Sequence, residues 1–473
     1  MSSRRYWSIL GSVLAFGLGL RLLIAFVPLG QFGINNFGFS WDMSTFADWM
    51  GTIRSAGLHA YEADPSINYP PVFADILAGL NFVGDLFSGG NPSRAIQISV
   101  ILLKLPAILA DLGIALAVAY AARRWYSEKA ALWGAGLYLL IPVTWYDSAI
   151  WGQVDSIAAL FMLLAVVLLV DRRPELSAVA TVLAILTKPQ GLLVGLVLAP
   201  VFIGQLWRRQ LSWRRAGFTV ISAIASFALL AAPWNLRSYQ SGTLGQVPII
   251  GDAFGLWQQA KSSAGLFQVL TANAYNPWQL AGYFPLVGQY QNGKAAWSPD
   301  DLTAFGIPAS VYGTVAFAAV AVLVFAYLVR GSLPHRALLG YAVILVAFFD
   351  LPTRVHERYL VQAFAILAIV WAPKIWDRAA LVLLSVANVI NLHAILSGGL
   401  QVIFPPTSPP ADGTVIYQHH GMSPDVYGIA NVPFDPGFTR DEGVIYAVIV
   451  IHTLALGYLI YQLVSSKRRE LQA

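Results

Sequence analysis

Two short stretches combine carboxylates or amides with aromatics, and two more gather cations, so this chain has the side chains for proton transfer and for holding an anion. The first is Trp41-Asp42-Met43-Ser44-Thr45-Phe46-Ala47-Asp48-Trp49. Asp42 is either a proton acceptor or the cap of a helix starting there, because a carboxylate at that place accepts a backbone N–H. Asp48 reads as a solvated or interfacial charge. Then comes Asn68-Tyr69-Pro70-Pro71, whose paired prolines fix φ and disfavour helix before them, giving a rigid extended lead into the next helix. In Trp145-Tyr146-Asp147-Ser148-Ala149-Ile150-Trp151-Gly152-Gln153-Val154-Asp155-Ser156 the tryptophans alone are ordinary membrane-belt residues; Asp147, Gln153 and Asp155 carry more weight. Thr187-Lys188-Pro189-Gln190 places a cation at the end of a short helix pair. Arg354-Val355-His356-Glu357-Arg358-Tyr359 brings three potentially cationic groups within five residues. Either these pair with acids such as Glu357 and Asp350, or they hold an anion, for which arginine and lysine suit phosphate by persistent charge and shared donors.

The framework around these groups can be read from composition. Of 473 residues 57% are hydrophobic and only 11% charged, too few for the surface of a soluble domain of this length. Cysteine is absent, which excludes a disulfide, a thiolate nucleophile and a cysteine-bound metal. The net charge of +5 lies in short basic clusters between apolar runs, a mark of membrane topology and not of nucleic-acid binding. Arg4 and Arg5 before an apolar run from Trp7 to Pro28 mimic a signal peptide. The run is about 20 residues long and lacks a small-residue cleavage site, so a retained first helix is expected.

Basic clusters occur at Arg4-Arg5, Arg123-Arg124, Arg172-Arg173, Arg208 to Arg215, Arg330 to Arg336, Lys374 to Arg378 and Lys467 to Arg469. With all of them cytoplasmic, each interval holds an even number of crossings of roughly 17–25 residues. The expected spans are 7–28, 97–121, 130–147, 152–170, 175–188, 190–206, 216–233, 308–329, 337–351, 359–372, 379–397 and 443–465, about twelve, with both termini inside. Residues 70–87 carry Asp75, Asn81 and Asp85 and read as an interfacial helix instead of a span. The interval 175–206 is short for two crossings, so its helices are expected to be short, tilted or broken at Lys188-Pro189. Phe46, Trp49, Met50 and Ile53 recur at helical spacing, which predicts a short amphipathic helix beginning near Asp42. The long loops 29–96, 234–307 and 398–442 then all lie outside. Arg21 and Lys104, inside the first two spans, are further cationic candidates or snorkelling side chains. The expectation is one all-α polytopic membrane domain over residues 1–473, with a catalytic-type helical module at 1–233 that includes loop 29–96, and a C-terminal helical module at 234–473.

In order, Asp42, Tyr69-Pro70-Pro71-Val72 and Val355-His356-Glu357-Arg358 resemble landmarks of the GT-C superfamily of membrane glycosyltransferases. They look most like those of the dolichyl-phosphate-glucose-dependent glucosyltransferases of asparagine-linked glycan assembly. Trp151-Gly152-Gln153-Val154-Asp155 and Thr187-Lys188-Pro189-Gln190 are similar to elements of bacterial polyprenyl-phosphate-mannose-dependent mannosyltransferases. The chain departs from the pattern at Asn68, where the family has an acid, at Arg358, where it has lysine, and in lacking an Arg-His-Trp in the first loop helix. These departures bear on sugar and acceptor more than on reaction class.

The resemblance implies a GT-C-like fold and inverting transfer of a hexose, mannose or glucose, from a polyprenyl-phosphate sugar to a lipid-linked or cell-surface glycan acceptor on the external face of the plasma membrane. It implies Asp42 as general base and Lys188, Arg354, His356 and Arg358 as the cations that meet the departing lipid phosphate. Trp41, Asp48, Tyr69, Asp147, Gln153, Asp155, Gln190 and Glu357 are the expected substrate contacts. The lipid tail would lie among the helices. No cofactor is expected and no carboxylate pair demands a metal, although some GT-C relatives use one. Two rivals share this architecture: a transporter or flippase of lipid-linked sugars, which should show matched halves around a midplane site, and a cell-surface polysaccharide polymerase or ligase.

Overall fold

The computed structural model describes residues 2–26, 28–29, 32–33, 40–236, 243–265, 267–288, 295, 297–331, 333–398 and 437–470. Among the described residues helices dominate, and the strands are two small antiparallel pairs, Pro28–Leu29 with Phe32–Gly33 and Thr303–Ala304 with Ile307–Pro308. Most of the expected loop 398–442, and residues 30–31 and 34–39 of the first loop, lie outside the described residues.

Each expected span contains a helix, but among the described residues seven qualify by length and composition to cross a membrane: Ser3–Phe26, Pro92–Trp125, Pro189–Trp207, Trp213–Trp234, Ala309–Arg330, Ile375–Ser397 and Glu442–Ser466. The other five positions hold Glu128–Leu140, Asp155–Val170, Pro174–Thr187, Pro334–Asp350 and Ala363–Val370, of 13, 16, 14, 17 and 8 residues. The difference has a packing cause. Every residue of Ala363–Val370 is buried, and nearly all of Pro334–Asp350, as expected for helices apolar on all sides at the centre of a bundle. In Trp213–Trp234, by contrast, only 11% of the apolar window is buried, so its Phe218, Ile221, Ile224 and Leu229 face outward as lipid-facing residues do. Ser127 and Ser212 begin their helices by accepting the backbone N–H of Ala130 and Arg215.

The stretch 70–87 forms the helix Pro71–Phe87, with proline at its first position, and does not qualify as a span. Its polar residues dock it onto its neighbours. Asp75 accepts the indole N–H of Trp234 at 2.9 Å, Asn81 donates to the Met50 carbonyl at 2.8 Å, and Asp85 pairs with Arg54. The helix Pro174–Thr187 ends at Lys188, whose backbone is extended (φ −154°, ψ 140°), and the chain turns directly back into Pro189–Val194 and Gly195–Trp207. Gly191 lies against the Ala184 backbone where no Cβ fits, which allows so sharp a reversal.

Arg21 does not snorkel. It is fully buried, with Nε donating to Asp111 Oδ2 at 2.7 Å, Nη1 to the Leu139 carbonyl at 2.9 Å and Nη2 to Thr144 Oγ1 at 3.0 Å. Asp111 also accepts from Tyr138 at 2.7 Å and from Ser148 and Ser156 at 2.6 Å each. An ionised pair inside apolar helices is tolerated when both members are hydrogen-bonded to saturation, and removing one partner costs about 3–5 kcal/mol. This one ties the helices at 3–26, 92–125, 128–140 and 155–170 to the turn at 146–154.

From this saturation we predict that Asp111→Ala lowers thermal stability in detergent by about 3–5 kcal/mol. Arg21→Met combined with Asp111→Leu should recover part of that loss. A single variant that melts like the wild type would show that the network does not hold these helices together.

Candidate functional site

Asp42 lies in the first turn of the helix Ser40–Ala56, whose Phe46, Trp49, Met50 and Ile53 are all buried, as their spacing predicts. Facing it is the turn after Pro142–Trp145, where the chain widens into one π-helical turn, Tyr146–Trp151. Such turns interrupt regular hydrogen bonding and are frequent at functional sites. Gly152 closes this one at φ +85°, and Met43 Sδ occupies the place a Cβ would take, so glycine lets the two elements touch. The contact brings Trp151 Nε1 to 2.8 Å and Gln153 Nε2 to 2.5 Å from Asp42 Oδ2. Two donors on one oxygen fix the rotation of the carboxylate.

Beside this pair stands Arg358. Burial works against its charge, but the carboxylates of Asp42 and then Glu357 outweigh that and hold the guanidinium well above its ordinary value. Its Nη1 donates to Glu357 Oε1 at 2.9 Å, and its Cζ lies 6.0 Å from the centre of the Trp151 ring. Burial lifts the Glu357 carboxyl above its usual range, with Arg358 opposing the shift.

Arg358 also lines a cavity of about 350 Å³ together with the other three groups that the resemblance assigns to the phosphate, Lys188, Arg354 and His356, and with Tyr69 and Gln190; Arg21 and Lys104 are not among its lining residues. Lys188 is buried, donates to Asp155 Oδ1 at 2.8 Å, and lies 5.7 Å from the Tyr69 ring and 5.6 Å from that of Tyr359. Tyr69 packs against Phe46, Trp49 and Phe73 at centroid distances of 5.8, 5.4 and 5.4 Å. Arg354, at φ +65°, clasps Asp300 through Nε at 2.7 Å and Nη2 at 3.3 Å, so the first of the two sequence readings, pairing with an acid, applies to it through an acid remote in sequence. His356 sits edge-on to Phe267 at 4.8 Å. Burial, then Arg358 and Lys188, press its imidazole well below its ordinary value, so it is neutral at pH 7 and the positive charge here belongs to Lys188, Arg354 and Arg358. One wall is the helix Ile250–Gly265. Ala260 and Ser263 face the cavity, Gln259 Nε2 donates to the Ile67 carbonyl at 2.9 Å, and Phe254 and Trp257 are exposed on the far side.

Asp147 and Asp155 are wholly buried. Asp155 accepts from Lys188 and, at 3.0 Å, from Gln362. Neither carboxylate oxygen of Asp147 has a hydrogen-bond partner, although Lys188 and Arg358 lie within electrostatic reach. The carboxylate oxygens of Asp48 are shielded, so of the solvated or interfacial charge expected there the solvated alternative does not apply. Both oxygens of Asp350 are likewise buried and without a hydrogen bond, so pairing of the cations with Asp350 is not observed. The side chain of Trp41 lies outside the described residues. Sequence reasoning missed Asp300, Gln362 and Asp111. Gln362 had a signal, as a polar residue in the apolar run 359–372, four positions after Arg358; Asp300 had none. Among the described residues no group of three or more His, Cys, Asp or Glu is placed to hold a metal ion.

No family model matches the sequence, and no curated protein matches it. Among solved structures the chain is similar to the oligosaccharyltransferase of Archaeoglobus fulgidus in its apo form, at 14% identity and a TM-score of 0.47, over 98% of this chain and 56% of that one. It is similar to archaeal oligosaccharyltransferase AglB from the same organism in complex with an inhibitory peptide and a dolichol-phosphate, at 13% identity and a TM-score of 0.46, over 99% and 56%. ArnT from Cupriavidus metallidurans bound to undecaprenyl phosphate matches at 16% identity and a TM-score of 0.41, over 98% and 78%. The chain thus spans little more than half the length of the archaeal structures it matches.

The depressed imidazole sets a pH dependence that needs no assay of activity. The unfolded chain binds a proton at His356 near its ordinary value and the folded chain does not, so this group costs stability as pH falls through about 6.5, by at most about 1.4 kcal/mol per unit. We predict that His356→Gln gains in melting temperature relative to wild type between pH 7.5 and 5.5. A difference that stays constant over that interval would mean the imidazole titrates normally.

Proposed function

We propose that this chain is an inverting glycosyltransferase that moves a hexose from a polyprenyl-phosphate sugar to a lipid-linked or cell-surface glycan acceptor at the outer face of the membrane. The observation that carries the reading is the double role of Arg358. It lies within electrostatic reach of the Asp42 carboxylate and lines the cavity that also takes in Lys188 and Arg354, so a base stands close to a space bordered by a set of cations.

In this reaction an acceptor hydroxyl oxygen attacks the anomeric carbon from the face opposite the phosphate. Asp42 takes the hydroxyl proton, while Trp151 and Gln153 keep its carboxylate oriented. The bond from the anomeric carbon to the phosphate oxygen breaks, its electron pair leaves with that oxygen, and the configuration inverts. A phosphate ester departs as an anion and needs no proton, so the task at that end is electrostatic. Lys188, Arg354 and Arg358 supply positive charge there and neutral His356 a ring nitrogen for hydrogen bonding. Tyr69 and Gln190 border the sugar, while the buried acids Asp147 and Asp155 lie behind the cations, Asp155 holding Lys188 in place. Residues 1–233 carry the base and Lys188, and residues 234–473 carry the remaining cations, so in this reading the two modules meet at the reacting bond.

Asp42→Asn, which keeps the shape and loses the base, should leave the folded protein in the membrane and reduce transfer of radiolabelled sugar from a polyprenyl monophosphate sugar by about 10²–10⁴-fold. Substantial remaining transfer would move the base to Asp155 or Asp147. Arg358→Ala should weaken use of the donor more than use of the acceptor; an effect confined to acceptor affinity would contradict the phosphate assignment. Substrate accumulation in proteoliposomes without any transfer would instead indicate transport.

A further inference from the structure

Gln362 stands immediately before the helix Ala363–Val370, and its side chain does not cap that helix. It is buried, and a buried amide in apolar surroundings is held there by its hydrogen bonds. Its Nε2 donates to Asp155 Oδ1 at 3.0 Å, the same oxygen that receives Lys188 Nζ at 2.8 Å. Two donors occupy the two lone-pair directions of that oxygen and stop the carboxylate from turning. Asp42 Oδ2 is fixed in the same manner by Trp151 and Gln153. Among the described residues the other oxygen, Asp155 Oδ2, accepts no hydrogen bond. A carboxylate free to turn would offer both oxygens to the ammonium and draw Lys188 away from the cavity it lines.

The amide and a second cation of the cavity share one stretch of chain. Residues 358–362 carry Arg358, Gln362 and Tyr359, whose ring centre lies 5.6 Å from Lys188 Nζ. The stretch is tied together by the Val361 N–H donating to the Arg358 carbonyl at 3.0 Å and that of Ala363 to the Leu360 carbonyl at 2.9 Å. Asn388 Nδ2 anchors its start by donating to the Glu357 carbonyl at 3.2 Å. The backbone that places Arg358 therefore also places the amide that fixes the counter-ion of Lys188. We propose that Gln362 is a positioning residue for the transfer reaction: it locks Asp155 so that Lys188, alongside Arg358, stays on the cavity wall and meets the phosphate of the lipid donor. This rests on the reading of that cavity as the donor phosphate site. Gln362 is not among the lining residues and acts only through Asp155 and Lys188.

The test uses the full chain in detergent with undecaprenyl monophosphate as the probe, affinity being read by microscale thermophoresis and folding by melting temperature. Gln362→Met, similar in length but without a donor, should weaken binding about fivefold, and Lys188→Gln, which removes the charge, about tenfold. The double variant should bind no more weakly than Lys188→Gln alone, because the amide then has no cation to position. Gln362→Met combined with Arg354→Gln, whose cation is held by Asp300 instead, should show losses that add. In transfer of radiolabelled sugar, Gln362→Met should raise the KM for the polyprenyl monophosphate sugar and leave that for the acceptor unchanged. Where Gln362→Met does not fold, Gln362→Asn, with its amide one methylene short of Asp155, takes its place. If Lys188→Gln weakens binding but the Gln362 variant binds like wild type, or the losses of these two add, the positioning role is overturned and the phosphate reading stands. Undiminished binding by Lys188→Gln would overturn both.

Discussion

The carboxylate of Asp111 is the fixed point of this molecule. Deep in an apolar bundle it receives Arg21, Tyr138, Ser148 and Ser156, so that neither oxygen is left to the surrounding hydrocarbon. Saturation turns an expensive buried charge into a clamp, because any displacement of a partner exposes a group that has nowhere else to bond. Two of those partners, Ser148 and Ser156, bracket the turn that presents Trp151 and Gln153 to Asp42. The geometry of the Asp42 carboxylate is therefore set by an ion pair that does not touch the cavity.

The cavity itself is built from charges compensated in advance. Lys188 faces Asp155, Arg354 faces Asp300, and Arg358 donates to Glu357 with Asp42 in electrostatic reach. The arrangement holds the cations in place along the cavity wall. Oriented charges of this kind need no reorganisation when negative charge develops nearby, which is where the electrostatic part of catalysis has its source. Neutral His356, wedged against Phe267, adds a polar atom without adding to the mutual repulsion of the three cations.

Much of this was legible from local pattern. The helix at Asp42, the rigid lead at Pro70-Pro71 and the reversal at Lys188-Pro189 each arise from residues within a few positions of one another, and local chemistry decides such features. What was not legible depends on which helices touch. Arg21 looks like a snorkelling side chain until Asp111, 90 residues on, is seen beside it, and Arg354 looks free until Asp300 arrives from a loop with no pattern of its own. The lengths of the helices escaped for a related reason. A central helix such as Ala363–Val370 is shielded by its neighbours and can be short, and the apolar run alone does not tell centre from rim. The charge of His356 is decided by burial, which a sequence does not display.

The wall formed by Ile250–Gly265 has a consequence for how such a molecule can diversify. Ala260 and Ser263 reach the cavity from a helix outside the Asp111 network and outside the ion pairs of Lys188, Arg354 and Arg358. Exchanging these two small side chains for larger or smaller ones alters the room available to a guest while the charges around it stay where they are. Size and reactivity are thus written in separate parts of the chain, so selection can retune what is admitted and leave untouched what is done to it.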